Sequence, residues 1–433
     1  FIGIGAALNN NKSLFNPNTE TYFFKTTTDL IQTIGNGISF NQETILLKGA
    51  RAFEFERIAQ RLKKRVHGSI LEISLSAIKH NLQIYNNLLK PETKIMVMVK
   101  ASAYGSGSYE IAQLLQYHHV DYLGVAYLDE GVALRQKGIH LPIMVMNTAE
   151  HEFDLIYKYK LEPVIYSFSI LNKFLIFLKQ KTLSAPYPIH LELDTGMHRL
   201  GFDTSEMNCL ILTLQQATKE LKVTGIFSHL AASEELDHNE FSHQQIETFE
   251  HLSKNLENEL SCKSIKHILN SAGISRFPNK QFDMVRLGIG LYGIDPNRKL
   301  NNLENVLQLK TCISQIKTLK KGETVGYSRK GNINKNSKIA ILAIGYADGF
   351  FRAFSNGNIS VKIRGQLAPT IGNICMDMCF VDITHISEAK EGDEVIIFNN
   401  IADINTMAEA IDSIPYEILT NISERVPRIF YED

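Results

Sequence analysis

The chain has 433 residues, 44% of them hydrophobic, with Lys+Arg 45 against Asp+Glu 46 for a formal charge of -1. Such a length exceeds what one core usually serves, so two or three domains are expected, and the even charge balance excludes nucleic acid or an anionic membrane as the main partner. The five cysteines, with only Cys375 and Cys379 close in sequence, read as reduced thiols of a cytoplasmic protein, not as a disulfide framework or a metal site.

The start, FIGIGAAL, lacks the basic leader of a signal peptide and an initiator methionine, so the sequence reads as a piece of something longer. No apolar run approaches the roughly 18 residues that span a bilayer. Residues 1–62 read as a small α/β piece, with strands at Tyr22–Phe24 and Ile45–Leu47 and helical patterns at Thr28–Ile34 and Ala52–Leu62. The stretch ILLKGARAFEFERI, Ile45–Ile58, resembles the last part of the ligase that joins D-alanyl-D-alanine to UDP-N-acetylmuramoyl-tripeptide. No G-x-x-x-x-G-K-S/T phosphate loop occurs in the chain, which leaves a docking or solubilising extension as the other reading. RLKKRVHGS, Arg61–Ser69, reads as a linker, followed by a short strand at Ile70–Ile73 and a helix capped by Ser76.

A sustained alternation begins at KIMVMVKASAYGSG, Lys94–Gly107. Candidate strands are Ile95–Lys100, Tyr122–Tyr127, Pro142–Asn147, Glu162–Tyr166, Ile189–Asp194, Val223–His229, Lys266–Asn270 and Met284–Ile289. Helical patterns such as Ser108–Gln116, Leu128–Gln136, Ser169–Lys179 and Glu240–Leu260 separate them. Eight strands alternating with helices predict an α/β fold of the TIM-type (β/α)8 barrel kind. A doubly wound open sheet is the runner-up, without the G-x-G-x-x-G that would mark a dinucleotide site. From about Val306 short strands with Gly and Asn turns predict a mainly β C-terminal domain, closed by a helical segment at about Thr406–Thr420. The expected division is 1–66, a small α/β fragment with linker; 67–305, the barrel; and 306–433, the β domain.

Lys100 ends five apolar residues, Ile95–Val99, at the carboxyl end of a strand, where barrel enzymes gather their reacting groups. A desolvated lysine there is a nucleophile toward a carbonyl such as that of pyridoxal phosphate; a solvated, snorkelling lysine is the plain alternative. In HLELDTGMHRLGF the residues His190, Glu192 and Asp194 alternate with apolar neighbours, giving a polar face on a strand normally buried on both sides, and Arg199 follows the Gly196 turn. His229, His267, Asn270, Ser271 and Arg286 also fall near strand ends, and Gly288 and Gly290 would allow a backbone to approach a phosphate closely. The first and last strands are neighbours in a closed barrel, so lysine and phosphate cradle would share one mouth.

These motifs, with GIFSHLA, VGYS, IGYADGF, IGNICMDM and YEILTNISERVPR in the same order, resemble alanine racemase, a fold-type III pyridoxal-phosphate family, over about Ile70–Asp433. The resemblance implies Lys100 as cofactor lysine and one base and Tyr327 as the other. It implies Arg199, with Met376 of a second subunit, on the substrate carboxylate. Arg286 would face the pyridine nitrogen, buttressed by His229, and would restrain transamination because an arginine keeps its proton. Tyr104, Asn270, Ser271, Gly288, Ile289 and Tyr416 would hold the cofactor, with Tyr346 and Asp377 near the substrate entrance and no metal. A homodimer with shared sites, interconverting L- and D-alanine for peptidoglycan synthesis, is the implied function. Ser102 and Ser106 depart from the usual aspartate and histidine, and GYS replaces SYG around Tyr327. Glu192 stands where the family commonly carries a carbamylated lysine, and should reach Arg199 through a water or a shifted arginine. Another fold-type III enzyme, a decarboxylase or aldolase, and a non-catalytic pyridoxal-phosphate-binding protein are the alternatives.

Overall fold

The computed structural model describes residues 1–16, 20–34, 38, 40, 45–50, 53, 55, 58, 62 and 68–432. They fall into two compact units, Phe1–Gly68 and Ser69–Asp433.

In the first unit β1 (Ile2–Ile4) pairs in parallel with β2 (Tyr22–Phe24), and a helix covers Thr27–Thr33. Thr26 caps that helix by accepting from the Asp29 N–H while the Asp29 carboxylate accepts from the Thr26 N–H, which satisfies two otherwise orphaned donors. Ile4, Leu30, Ile34, Ile38 and Ile58 form its core. The strand expected at Ile45–Leu47 is not there: residues 45–50 have no regular structure, and Leu46 is 85% exposed. Most of the helix expected at 52–62, and most of the linker, lie outside the described residues.

The second unit opens with β3 (Ile70–Ser74), which does not join the barrel. It pairs instead with strands of the last part of the chain, described below. Among the described residues the barrel is built from β4 (Lys94–Met98), β5 (Tyr122–Val125), β6 (Ile143–Val145), β7 (Glu162–Ile165), β8 (Tyr187–Glu192), β9 (Leu221–Phe227), β10 (Ile265–His267) and β11 (Met284–Leu287). All eight pair in parallel in sequence order, with β11 returning to β4 in the register Met284↔Lys94. The seam between the last two strands closes through Asp283 N–H to Lys266 O at 3.0 Å and Arg286 N–H to Leu269 O at 2.9 Å. Helices between the strands bury one stripe each, as Ile111, Ala112 and Leu115 do in Ser108–Tyr117. The eight expected strands are thus present, most of them shortened at the carboxyl end, where the chain leaves the sheet to make the mouth.

Beyond the barrel follow β12 (Leu307–Leu319), β13 (Thr324–Val325), β14 (Gly331–Asn332), β15 (Ser337–Leu342), β16 (Ser360–Ile363), β17 (Gln366–Pro369), β18 (Cys379–Asp382), β19 (Glu394–Phe398) and β20 (Arg428–Tyr431). Long β12 is the hub, antiparallel to β15, β19 and β3, while β20 lies parallel to β3. The single helical segment expected near 406–420 is two helices, Ile401–Glu409 and Pro415–Thr420. Pro415, which has no N–H to donate, begins the second. One core runs through barrel and β domain.

Candidate active site

Lys100 lies two residues beyond β4, where the backbone turns left-handed. Ala101, Ser102, Ala103 and Tyr104 have φ of 51°, 53°, 51° and 56°. Each L-residue in that region costs about 1–2 kcal/mol, so a run of four needs external support. Ala103 N–H to Val99 O at 3.0 Å, Gly105 N–H to Ala101 O at 2.9 Å and Gly107 N–H to Ser102 O at 2.8 Å supply part of it. The Glu130 carboxylate supplies more, accepting from Ala101 N–H at 2.6 Å and, with its other oxygen, from Ala126 N–H at 2.7 Å. At Gly105, φ 82°, a Cβ would lie 2.3 Å from Leu419 O, so barrel loop and helix Pro415–Thr420 touch through backbone.

The turn delivers Lys100 and Tyr104 to a cavity of about 350 Å³, lined also by Arg199, His229, Ser271, Arg286 and Tyr416, a size within the ordinary range for small-molecule sites. Burial lowers the Lys100 pKa, Arg199 and Arg286 lower it further, and Glu130 opposes them. The lysine therefore lines the cavity and does not snorkel out to solvent. Arg286 is 2% exposed. Its Nη1 donates to His267 Nδ1 at 2.7 Å and His267 O at 3.1 Å; its Nη2 donates to Ser228 O at 2.7 Å, Ile268 O at 3.1 Å and His229 Nδ1 at 3.3 Å. Nε alone makes no hydrogen bond among the described residues. Burial draws this guanidinium down to about 10, against the raising effect of the Glu192 charge. His229 is held neutral by burial and then by Arg286, Arg199 and Lys100. The sequence singled out His267 without a role for it, yet its Nδ1 and Ser228 O are the arginine's two shortest partners.

Across the mouth, Ser271 Oγ accepts from Gly288 N–H at 2.9 Å and Gly290 N–H at 3.2 Å. A Cβ on Gly288 would sit 2.6 Å from the Tyr104 hydroxyl, so the glycine keeps that hydroxyl accessible. Tyr104 stacks obliquely on Tyr292 and Tyr416, with ring centroids 4.9 and 6.0 Å away. Burial keeps the Tyr104 phenol protonated and raises that of Tyr416 to about 12. These neutral hydroxyl donors, with Gly288 leaving room, suit a phosphate. Ile289 is fully buried and starts the turn behind this wall. Asn270 caps Ser271–Arg276, its Oδ1 accepting from Gly273 N–H at 2.9 Å and Ser233 Oγ at 2.9 Å. Amine, cation and cradle fit pyridoxal phosphate.

Glu192, 5% exposed, shares a smaller cavity with Lys100 and Arg199. Burial raises its pKa, opposed by Arg199 and Arg286. No hydrogen bond or ion pair joins Glu192 to Arg199 among the described residues, and Arg199 keeps its fork free. Asp194 does not face the interior with Glu192: its carboxylate accepts from Gly196 N–H at 2.9 Å and His198 N–H at 3.0 Å, closing the turn before Arg199.

Tyr327 stands apart. It is 68% exposed and lines a separate cavity with Tyr346, Arg352 and Ile374. Met376 is 52% exposed, and Asp377 pairs with Arg425 Nη2 at 2.6 Å, whose Nε bonds buried Asp348 at 2.6 Å. One chain therefore does not unite the barrel residues with those of the β domain.

Residues 73–296 match the family model described as alanine racemase, N-terminal domain, and residues 306–430 the alanine racemase, C-terminal domain. The chain belongs to the alanine racemase family. That family is dependent on pyridoxal phosphate, and the chain is an amino-acid racemase by membership. It is similar to alanine racemase 1 of Clostridium acetobutylicum, 37% identical over 84% of this chain and 95% of that one. Among solved structures, an alanine racemase of Clostridium difficile has a TM-score of 0.79 at 34% identity, covering 84% of this chain and 96% of the other. That of Bartonella henselae, with covalently bound pyridoxal phosphate, has 0.76 at 29% identity, with 84% and 99% covered. Residues 1–72 lie outside both family models.

Proposed function

We propose that this chain interconverts L-alanine and D-alanine with Lys100 as one base and Tyr327, from a second copy of the chain, as the other. Pyridoxal phosphate, when bound, supplies the electron sink that makes the substrate Cα–H acidic. Lys100 Nζ, at a lowered pKa, removes or returns a proton on one face of Cα; the Tyr327 hydroxyl does so on the opposite face, as racemisation requires. The free fork of Arg199 receives the substrate carboxylate, assisted by Met376 of the second copy, and Glu192 supplies the nearby negative charge. Arg286, held by His267 and His229, presents Nε–H to the ring nitrogen. Tyr104, Ser271, Gly288, Ile289 and Tyr416 hold the phosphate end, Asn270 adjoins the cofactor beside them, and Tyr346 and Asp377 border the way in. The observation that carries this reading is the half-buried lysine, its pKa lowered, sharing a cavity with an arginine fork that makes no hydrogen bond among the described residues and with a phosphate cradle.

In the same reading the product serves peptidoglycan synthesis in the cytoplasm. The described cysteines are free, and no described helix is long and apolar enough to cross a membrane. The segment 1–66 is the terminal piece of a muramoyl-tripeptide ligase, supported by ILLKGARAFEFERI, followed by the barrel at 67–305 and the β domain at 306–433. Purified protein given pyridoxal phosphate and L-alanine should form D-alanine, separated by chiral chromatography. Carbon dioxide release without D-alanine would point to a decarboxylase instead.

A further inference from the structure

The barrel interior is not wholly aliphatic. His190 and His267 are both completely buried, their rings edge to face with centroids 5.8 Å apart and planes at 71°. Each has one partnered nitrogen and one without a partner, His190 Nδ1 and His267 Nε2. The partners fix the protons. Arg286 has only donors, so His267 Nδ1, 2.7 Å from Nη1, must accept, and the neutral ring carries its proton on Nε2. Glu162 Oε2, a carboxylate oxygen 2.8 Å from His190 Nε2, must accept, and a neutral His190 then presents a lone pair at Nδ1. The two unpartnered atoms are thus one donor and one acceptor on rings in contact. Burial followed by the Arg286 charge holds His267 far from protonation. The His190 ring packs over Gly225, where a Cβ would lie 2.2 Å from Nδ1, so the glycine makes room for the imidazole.

We propose that Arg286, His267, His190 and Glu162 form one directed hydrogen-bond chain, donor to acceptor in that order, joined between the imidazoles through one water. Glu162 is then a positioning residue. Tyr122 Oη donates to the same carboxylate at 3.3 Å, fixing its rotamer at the far end. Through the chain a carboxylate on β7 sets the tautomers that keep Nη1 of Arg286 engaged and its Nε–H free toward the cofactor. The inference rests on Arg286 as the cofactor-facing cation.

The test is a long-range proton–nitrogen NMR spectrum of the holoenzyme, ring-labelled with nitrogen-15 histidine and assigned with single histidine substitutions, repeated without cofactor. His190 and His267 should both show the neutral Nε2–H pattern. A proton on His267 Nδ1, or on Nδ1 of His190, would overturn the chain. Glu162→Leu should scramble the His190 pattern and lower kcat about tenfold at unchanged KM for alanine, the loss of one charge-assisted link, with Glu162→Asp recovering part of both. Unchanged His190 pattern and kcat in Glu162→Leu would also overturn it. If the variant does not fold, the native spectrum decides alone. Because the spectrum reads protons without turnover, failure of racemase activity and failure of the chain are separate results.

Discussion

Two side chains carry charge where the fold resists it. Lys100 is pulled down by burial and by Arg199 and Arg286, so its free amine exists below the pH usual for lysine. Cofactor capture by the apoprotein needs that amine, and its rate against pH should bend below the ordinary lysine value of 10.5. Arg199→Met, which removes a neighbouring cation, should move the bend upward; stopped-flow absorbance reads it, and an unmoved bend would count against this account. Glu192 is raised mainly by burial. A carboxyl raised in the fold binds its proton more tightly folded than unfolded, so stability falls as pH rises from the ordinary carboxyl range through the folded value. Glu192→Gln should therefore melt higher at neutral pH, with the gain vanishing in acid. Its KM for alanine should rise about tenfold through loss of the charge near Arg199, with no change in the cofactor spectrum. Bicarbonate should not activate the native enzyme. A lower melting point with unchanged KM would mean that Glu192 is structural.

At the scale of elements, the left-handed turn after β4 is where sequence reading fell short. Hydrophobic periodicity located all eight barrel strands, because a buried parallel strand is a run of apolar residues. It could not reveal that Ala101–Tyr104 turn left-handed, since that conformation is imposed by Glu130 and Leu419 from distant parts of the chain. Nor could it pair β3 with β12 across more than two hundred residues, or link Glu162 to His190. The signal for the turn was only the smallness of Ala101, Ser102 and Ala103. Since Ser102 makes no hydrogen bond through its hydroxyl among the described residues, Ser102→Gly should relieve left-handed strain and raise stability by about 1 kcal/mol, read from the urea midpoint. A loss of similar size would mean that the turn stores less strain than its angles imply.

For the whole molecule, the decisive feature is separation. Lys100 and Arg199 open into the barrel cavity, while Tyr327 lies exposed at another cavity of the β domain, where Met376 is exposed too. A two-base reaction within one subunit cannot use both sets, whereas two copies arranged about a twofold axis complete two sites at once. The motifs made both sets legible in the sequence, but their distance within one chain needed coordinates. The direct measurement is to mix inactive Lys100→Ala and Tyr327→Phe proteins, verify subunit exchange, and assay D-alanine formed from L-alanine. Random exchange makes half the dimers hybrid, each with one intact site, so activity should return to about a quarter of native. No recovery after verified exchange would contradict sites shared between subunits.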